Sequence, residues 1–152
     1  MTGAPLGARR ATLAAAALFV SVLAAHGSTA AQTPPTAGDT VTTASGLVYR
    51  SLVEGRGEQP TASDTVRVHY RGRFPDGREF DSSYARGQPA EFPLDRVIPC
   101  WTEGVQRMKV GGKASLVCPP AIAYGSRGAG SVIPPNSTLH FEVELLAIRS
   151  SR

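Results

Sequence analysis

The chain has 152 residues with 16 Lys+Arg against 12 Asp+Glu, so its length favours one domain. The charge balance is too mild for a nucleic-acid binder, which needs a concentrated basic stripe. Its two cysteines, 18 positions apart with no CxxC and no paired histidines, make a poor zinc site, so no metal is expected.

Residues 1–31 read as a secretory signal peptide. Arg9 and Arg10 precede the apolar run ATLAAAALFVSVLAA and the small-residue tract HGSTAAQ, with cleavage expected after Ala30 or Ala31. The apolar run is short of the roughly 20 residues of a bilayer-spanning helix, and no cysteine stands at the cleavage site to carry a lipid. The twin arginines match a Tat signal only in part, so a Sec route is expected. The mature chain is then periplasmic and free of the membrane, with 14 basic against 12 acidic residues. Two cysteines in an exported chain favour a disulfide.

Residues 32–46, QTPPTAGDTVTTASG, have little to bury and read as a flexible tether. The domain is expected over 47–150. LVYRSLVEG suggests a first strand closed by a glycine-rich turn. TVRVHYRGRF alternates, with Val66, Val68 and Tyr70 on one face and Arg67, His69 and Arg71 on the other, the period of a half-buried strand. PDGRE supplies an Asp-Gly turn. From Pro99, Trp101, Val105 and Met108 recur at helical spacing as one apolar stripe, with proline suited to the first turn and Gly111-Gly112 as a stop. KASLVCP then puts Ala114, Leu116 and Cys118 on one face. TLHFEVELLAI turns Leu139, Phe141, Val143 and Leu145 inward and His140, Glu142 and Glu144 outward. These elements imply an α+β domain, an antiparallel sheet with one wet side and one short helix on the other.

No nucleophile elbow, phosphate-binding glycine loop or HExxH is present. Ser82 and Ser83 have no histidine placed by sequence to serve them, and His69 and His140 fall on strands where a solvent-facing role is expected. Tyr70, Phe80, Trp101, Tyr124 and Phe141 instead sit where strands meet turns. They fit either ordinary core or the lining of an apolar pocket. A secreted all-β adhesion or carbohydrate module would fit the alternation, but not this ordered set of aromatics with Phe80-Asp81.

Three blocks in order, VHYRGRFPDGREFDSS, VIPCWTEGVQRMKVGGKASLVCPPAIAYG and IPPNSTLHFEVELL, resemble the FKBP-type peptidyl-prolyl cis–trans isomerases, above all the secreted bacterial members. The resemblance runs from about Leu47 to Ile148. It implies a twisted antiparallel sheet wrapped around one short helix and rotation about Xaa-Pro bonds, with no covalent intermediate and no cofactor. It implies proline-containing polypeptides as substrates, macrolides of the tacrolimus or rapamycin type as ligands, and a monomer. Carried over by motif, Tyr70, Asp81, Tyr124 and Phe141 are the catalytic set. Phe80, Val97, Ile98, Trp101 and Ile133 bind substrate, and Arg86 steadies Asp81. The family topology also places the helix start near the strand carrying Cys118, so a Cys100–Cys118 disulfide is expected. Cys100 stands where the family has a glycine, Ala90 where it often has an aromatic, and the flap SRGAGSV is one residue longer than in members carrying a histidine there. The lower wall at Ala90 keeps open a second reading, a chaperone module that binds proline segments with little turnover.

Overall fold

A computed structural model describes residues 38–150. The chain divides into two units, 1–32 and 33–152. The signal-peptide reading and the first part of the tether lie outside the described residues.

Seven strands form one antiparallel sheet: β1 (Thr40–Thr42), β2 (Val48–Val53), β3 (Thr65–Arg73), β4 (Glu79–Ser82), β5 (Ala90–Pro93), β6 (Lys113–Cys118) and β7 (Leu139–Arg149). The order is β1-β2-β6-β7-β3-β4, with β5 also on β3. Among the described residues one α-helix, α1 (Pro99–Val105), packs on it. The last strand therefore lies at the centre, pairing with β6 on one side and β3 on the other.

Alternation explains the layers. On β3 Val66, Val68 and Tyr70 are buried, and on β7 so are Leu139, Phe141, Val143 and Leu145. Leu116 and the helix residues Trp101 and Val105 complete the same core. At about 25 cal/mol per Å² of apolar surface removed from water, such side chains are the main source of stability. The Asp76-Gly77 turn forms as expected: Gly77 takes φ +91° and its N–H donates to the Phe74 carbonyl at 2.9 Å.

Two expectations need correction. The tether over 32–46 contains β1, whose β-branched Thr40, Val41 and Thr42 pair with Arg50, Tyr49 and Val48. Gly46, at φ +92°, supplies the left-handed residue in the connection that folds β1 back onto β2. The helix ends at Val105, well before Gly111-Gly112, and Met108 reaches the core from the turn that follows it.

The helix is held against β6 at two levels. The Cys100–Cys118 disulfide joins them with 5.8 Å between Cα atoms. One helical turn later Gly104 lies so close that an added Cβ would sit 2.8 Å from Leu116 Cδ2. Cys100 and Gly104 are four apart on the helix, and Cys118 and Leu116 are two apart on the strand, so each pair shares a face.

Candidate active site

One edge of β3 is shared by two short strands. β4 pairs with Arg71–Arg73 and β5 with Thr65–Val68, leaving Tyr70 between them. Ser83 fills the gap: its N–H donates to the Tyr70 carbonyl at 3.0 Å, and its Oγ accepts from the Tyr70 N–H at 2.8 Å. A histidine does meet this serine, since His69 Nδ1 lies 2.9 Å from Ser83 Oγ. The serine is fully buried, however, and its hydroxyl is occupied by backbone, so the contact closes a ladder and offers no nucleophile.

The interruption opens a cleft of about 250 Å³ on the helix side of the sheet. Tyr70, Phe80, Asp81, Val97, Ile98, Trp101, Tyr124 and Phe141, all read from the sequence as site residues, line it together. Phe92 and Arg96 line it as well, and sequence reasoning missed both. Ala90 is not part of the lining. Ile133, expected to bind substrate, is not among the residues that line the cleft: its backbone pairs with Ala129 in both directions, at 2.9 and 3.1 Å, and it is buried against the core.

Trp101, 4% exposed, is the floor. Tyr70, Phe92 and Phe141 surround it at 5.2, 5.4 and 5.4 Å between centroids, at 84°, 82° and 89° to its plane. Such edge-to-face contacts place the positive ring edge on the negative face and add about 0.5–1.5 kcal/mol each beyond burial. The indole plane is thereby fixed from three sides. Gly72 makes part of this possible: a Cβ there would fall 2.5 Å from the Phe80 ring and 3.0 Å from Phe141. The Trp101 Nε1–H is buried without a hydrogen-bond partner among the described residues.

A polar network borders the floor. The Tyr70 hydroxyl donates to Asp81 Oδ2, while Arg86 donates to Asp81 Oδ1 at 2.5 Å and to the Tyr70 oxygen at 3.0 Å. Burial alone would raise the Asp81 carboxyl, but the Tyr70 hydroxyl and the Arg86 guanidinium outweigh it and hold the group below the usual aspartate range. Burial, and then the bond to Asp81, push the Tyr70 hydroxyl up. Asp81 is thus a committed anion and a poor proton acceptor, and Tyr70 keeps its proton. At the rim, Tyr124 is 40% exposed. Burial of part of its ring, and then the Asp81 charge, raise its hydroxyl, which therefore remains a donor at neutral pH.

Among the described residues no cluster of His, Cys, Asp or Glu could hold a metal ion. What the cleft offers is a dry, rigid aromatic floor, a neutralised carboxylate–guanidinium pair and one phenol donor at the edge. That combination defines a pocket for a small apolar ring whose attached carbonyls remain near donors.

A sheet wrapped on one short helix, with such a pocket between them, is the FKBP-like class of domain. The family model for the FKBP-type peptidyl-prolyl cis-trans isomerase matches residues 56–146, and the chain belongs to that family. It is 54% identical over 110 residues to a probable FKBP-type peptidyl-prolyl cis-trans isomerase of Haemophilus influenzae, spanning 72% of this chain and 46% of that one. It is 56% identical over 108 residues to the FKBP-type isomerase FkpA of Escherichia coli K12, covering 71% of this chain and 40% of that one. The crystal structure of Escherichia coli FkpA superposes with a TM-score of 0.72 over 74% of this chain and 53% of that chain. A peptidyl-prolyl cis-trans isomerase structure from Pseudomonas syringae gives 0.69 at 43% identity, over 73% of this chain and 81% of that one. The chain thus spans less than half the length of these two curated sequence relatives.

Proposed function

We propose that this chain is a peptidyl-prolyl cis–trans isomerase that accelerates rotation about Xaa-Pro bonds in exported polypeptides. The observation that carries the reading is the Trp101 floor, held by three perpendicular rings at the bottom of a cleft of about 250 Å³. That volume is below the roughly 300–1,000 Å³ of sites that engulf drug-sized ligands. It suits one proline ring, or the matching ring of a tacrolimus- or rapamycin-type macrolide.

The uncatalysed bond crosses a barrier of about 18–20 kcal/mol because rotation breaks amide resonance. The planar amide is the more charge-separated state and is better solvated by water. Removing water therefore penalises the ground state more than the twisted one. Trp101, Val97, Ile98 and Phe141 supply the dry walls, and Phe80 and Phe92 close the sides. Tyr124 donates to a substrate carbonyl, fixing the peptide while the carbonyl of the residue before proline turns. Asp81 holds Tyr70 in place and sets the local field. Its depressed acidity suits a fixed charge, and no covalent step or proton transfer is needed. Groups that meet the carbonyl only after rotation stabilise the transition state selectively. About 6 kcal/mol of such preference corresponds to roughly four orders of magnitude in rate.

The leader-like residues 1–31 and the disulfide fit an exported, periplasmic protein, and no helix among the described residues is long and apolar enough to cross a membrane. The deciding experiment is a protease-free isomerisation assay on an Ala-Pro peptide, with and without a tacrolimus-type macrolide. Acceleration that the macrolide blocks is expected. Peptide binding without acceleration would instead establish the chaperone-module reading.

A further inference from the structure

The cleft has two charged lining residues, Asp81 and Arg96. Their circumstances differ. Asp81 is neutralised by Arg86 through a 2.5 Å ion pair and receives the Tyr70 hydroxyl as well. Arg96, in the 3-10 turn Leu94–Arg96, makes no ion pair and no side-chain hydrogen bond among the described residues, although Asp95 is its neighbour in sequence. The pocket mouth therefore carries one uncompensated positive charge. Arg96 directly precedes Val97 and Ile98, so this charge stands beside the wall that receives the proline ring.

We propose that Arg96 is a specificity-determining residue that favours an acidic side chain next to the substrate proline. This rests on the cleft being the proline site. Consecutive Cα atoms are about 3.8 Å apart, so a residue flanking a proline seated on Trp101 stays at the mouth, where the guanidinium is exposed. Arginine meets a carboxylate through a planar fork of donors without having to shed a partner first. Both groups stay wet, so the preference is modest and salt-dependent. Leu94, the first residue of the turn, is fully buried and its N–H donates to the Asp64 carbonyl at 3.0 Å. The turn is thus anchored independently of the Arg96 side chain, and replacing that side chain leaves the wall intact.

The test uses the full chain and two peptide series with Glu, Ala or Lys immediately before or immediately after proline. The expected result at low salt is a kcat/KM ratio of Glu over Lys of about three- to fivefold in at least one series, carried by KM. That ratio should vanish near 1 M salt, where the Debye length is about 3 Å. Arg96→Ala should level the ratio and Arg96→Glu should invert it, each ratio being taken within one protein so that any change in the common Ala-Pro rate cancels. The same ratio in all three proteins in both series would overturn the proposal. Should no peptide be accelerated, the isomerase reading fails by itself. Quenching of Trp101, the chain's one tryptophan, then reads the same charge preference as binding.

Discussion

The floor of the cleft and its rim are built on opposite principles. The floor is Trp101, clamped by three perpendicular rings on a helix joined to β6 by a disulfide and by the close approach at Gly104. The rim is Tyr124, exposed, at the head of a loop that turns through Gly125, Gly128 and Gly130, all at positive φ. Between them stands a charge network that is satisfied internally. Under the proposed function, desolvation and ring placement fall to the clamped floor, and recognition of the passing peptide to the exposed, glycine-rich rim. A dry surface works only if it is preorganised, whereas a chain that differs in every residue but proline must be met by groups that can shift.

If the division is right, damage to the floor should be the most severe. Trp101→Ala should lower kcat/KM by at least about 100-fold and destabilise the fold by about 3–5 kcal/mol in urea unfolding. Trp101→Leu separates the two effects, recovering much of the stability but little of the rate. A leucine variant within a few-fold of the parent rate would break the comparison. Next comes the bolt behind the floor: Cys100→Ser with Cys118→Ser should lower stability by about 3 kcal/mol, the chain-entropy value for a loop of this length. Activity measured well below the new unfolding midpoint should stay within a few-fold, because the ring contacts remain.

The network is third. Asp81→Asn should reduce kcat/KM about tenfold, equivalent to about 1.4 kcal/mol, by weakening the bonds from Tyr70 and Arg86. Its pH signature follows from the depressed carboxyl. The Asp81 contribution is fully present above the unfolded aspartate value, about 3.9, and is lost as pH falls through the lower folded value. The rate should therefore be flat from pH 8 to about 5, and a step near neutrality would overturn the assignment of Asp81 as a fixed charge. The smallest effect belongs to the rim. Tyr124→Phe should change kcat/KM only two- to fivefold, chiefly in KM, and stability by no more than about 0.5 kcal/mol. A loss as large as that of Trp101→Ala would erase the distinction between floor and rim.

Much of this was legible in the residues. The strict alternation of β3 and β7 fixed which side chains face inward, since a slip of one residue would expose every one of them. The helix stripe announced that Trp101 would be presented to the sheet. Phe92 escaped because β5 has only four residues, too few for alternation to register, and its place depends on its pairing with Val66, 26 positions earlier. Arg96 escaped because a charged residue in a turn ordinarily signals solvent. Gly72 could have been read only by knowing that two rings from other strands meet above it. The β1 strand lay in a segment whose Thr, Pro and Gly content suggested a tether. What decided its state was an available sheet edge, which local composition does not report.

The place of β7 also governs the order of events in time. Leu139–Arg149 are the last strand among the described residues, yet they separate β6 from β3 and pair with both. Until they emerge, a growing chain can form hairpin-like pairs but cannot join the two halves of its sheet. Pairing across such sequence distances makes folding slow. A nascent chain of this topology thus remains pliable until these residues have emerged, and a truncation before Leu139 removes the strand that pairs with both halves of the sheet.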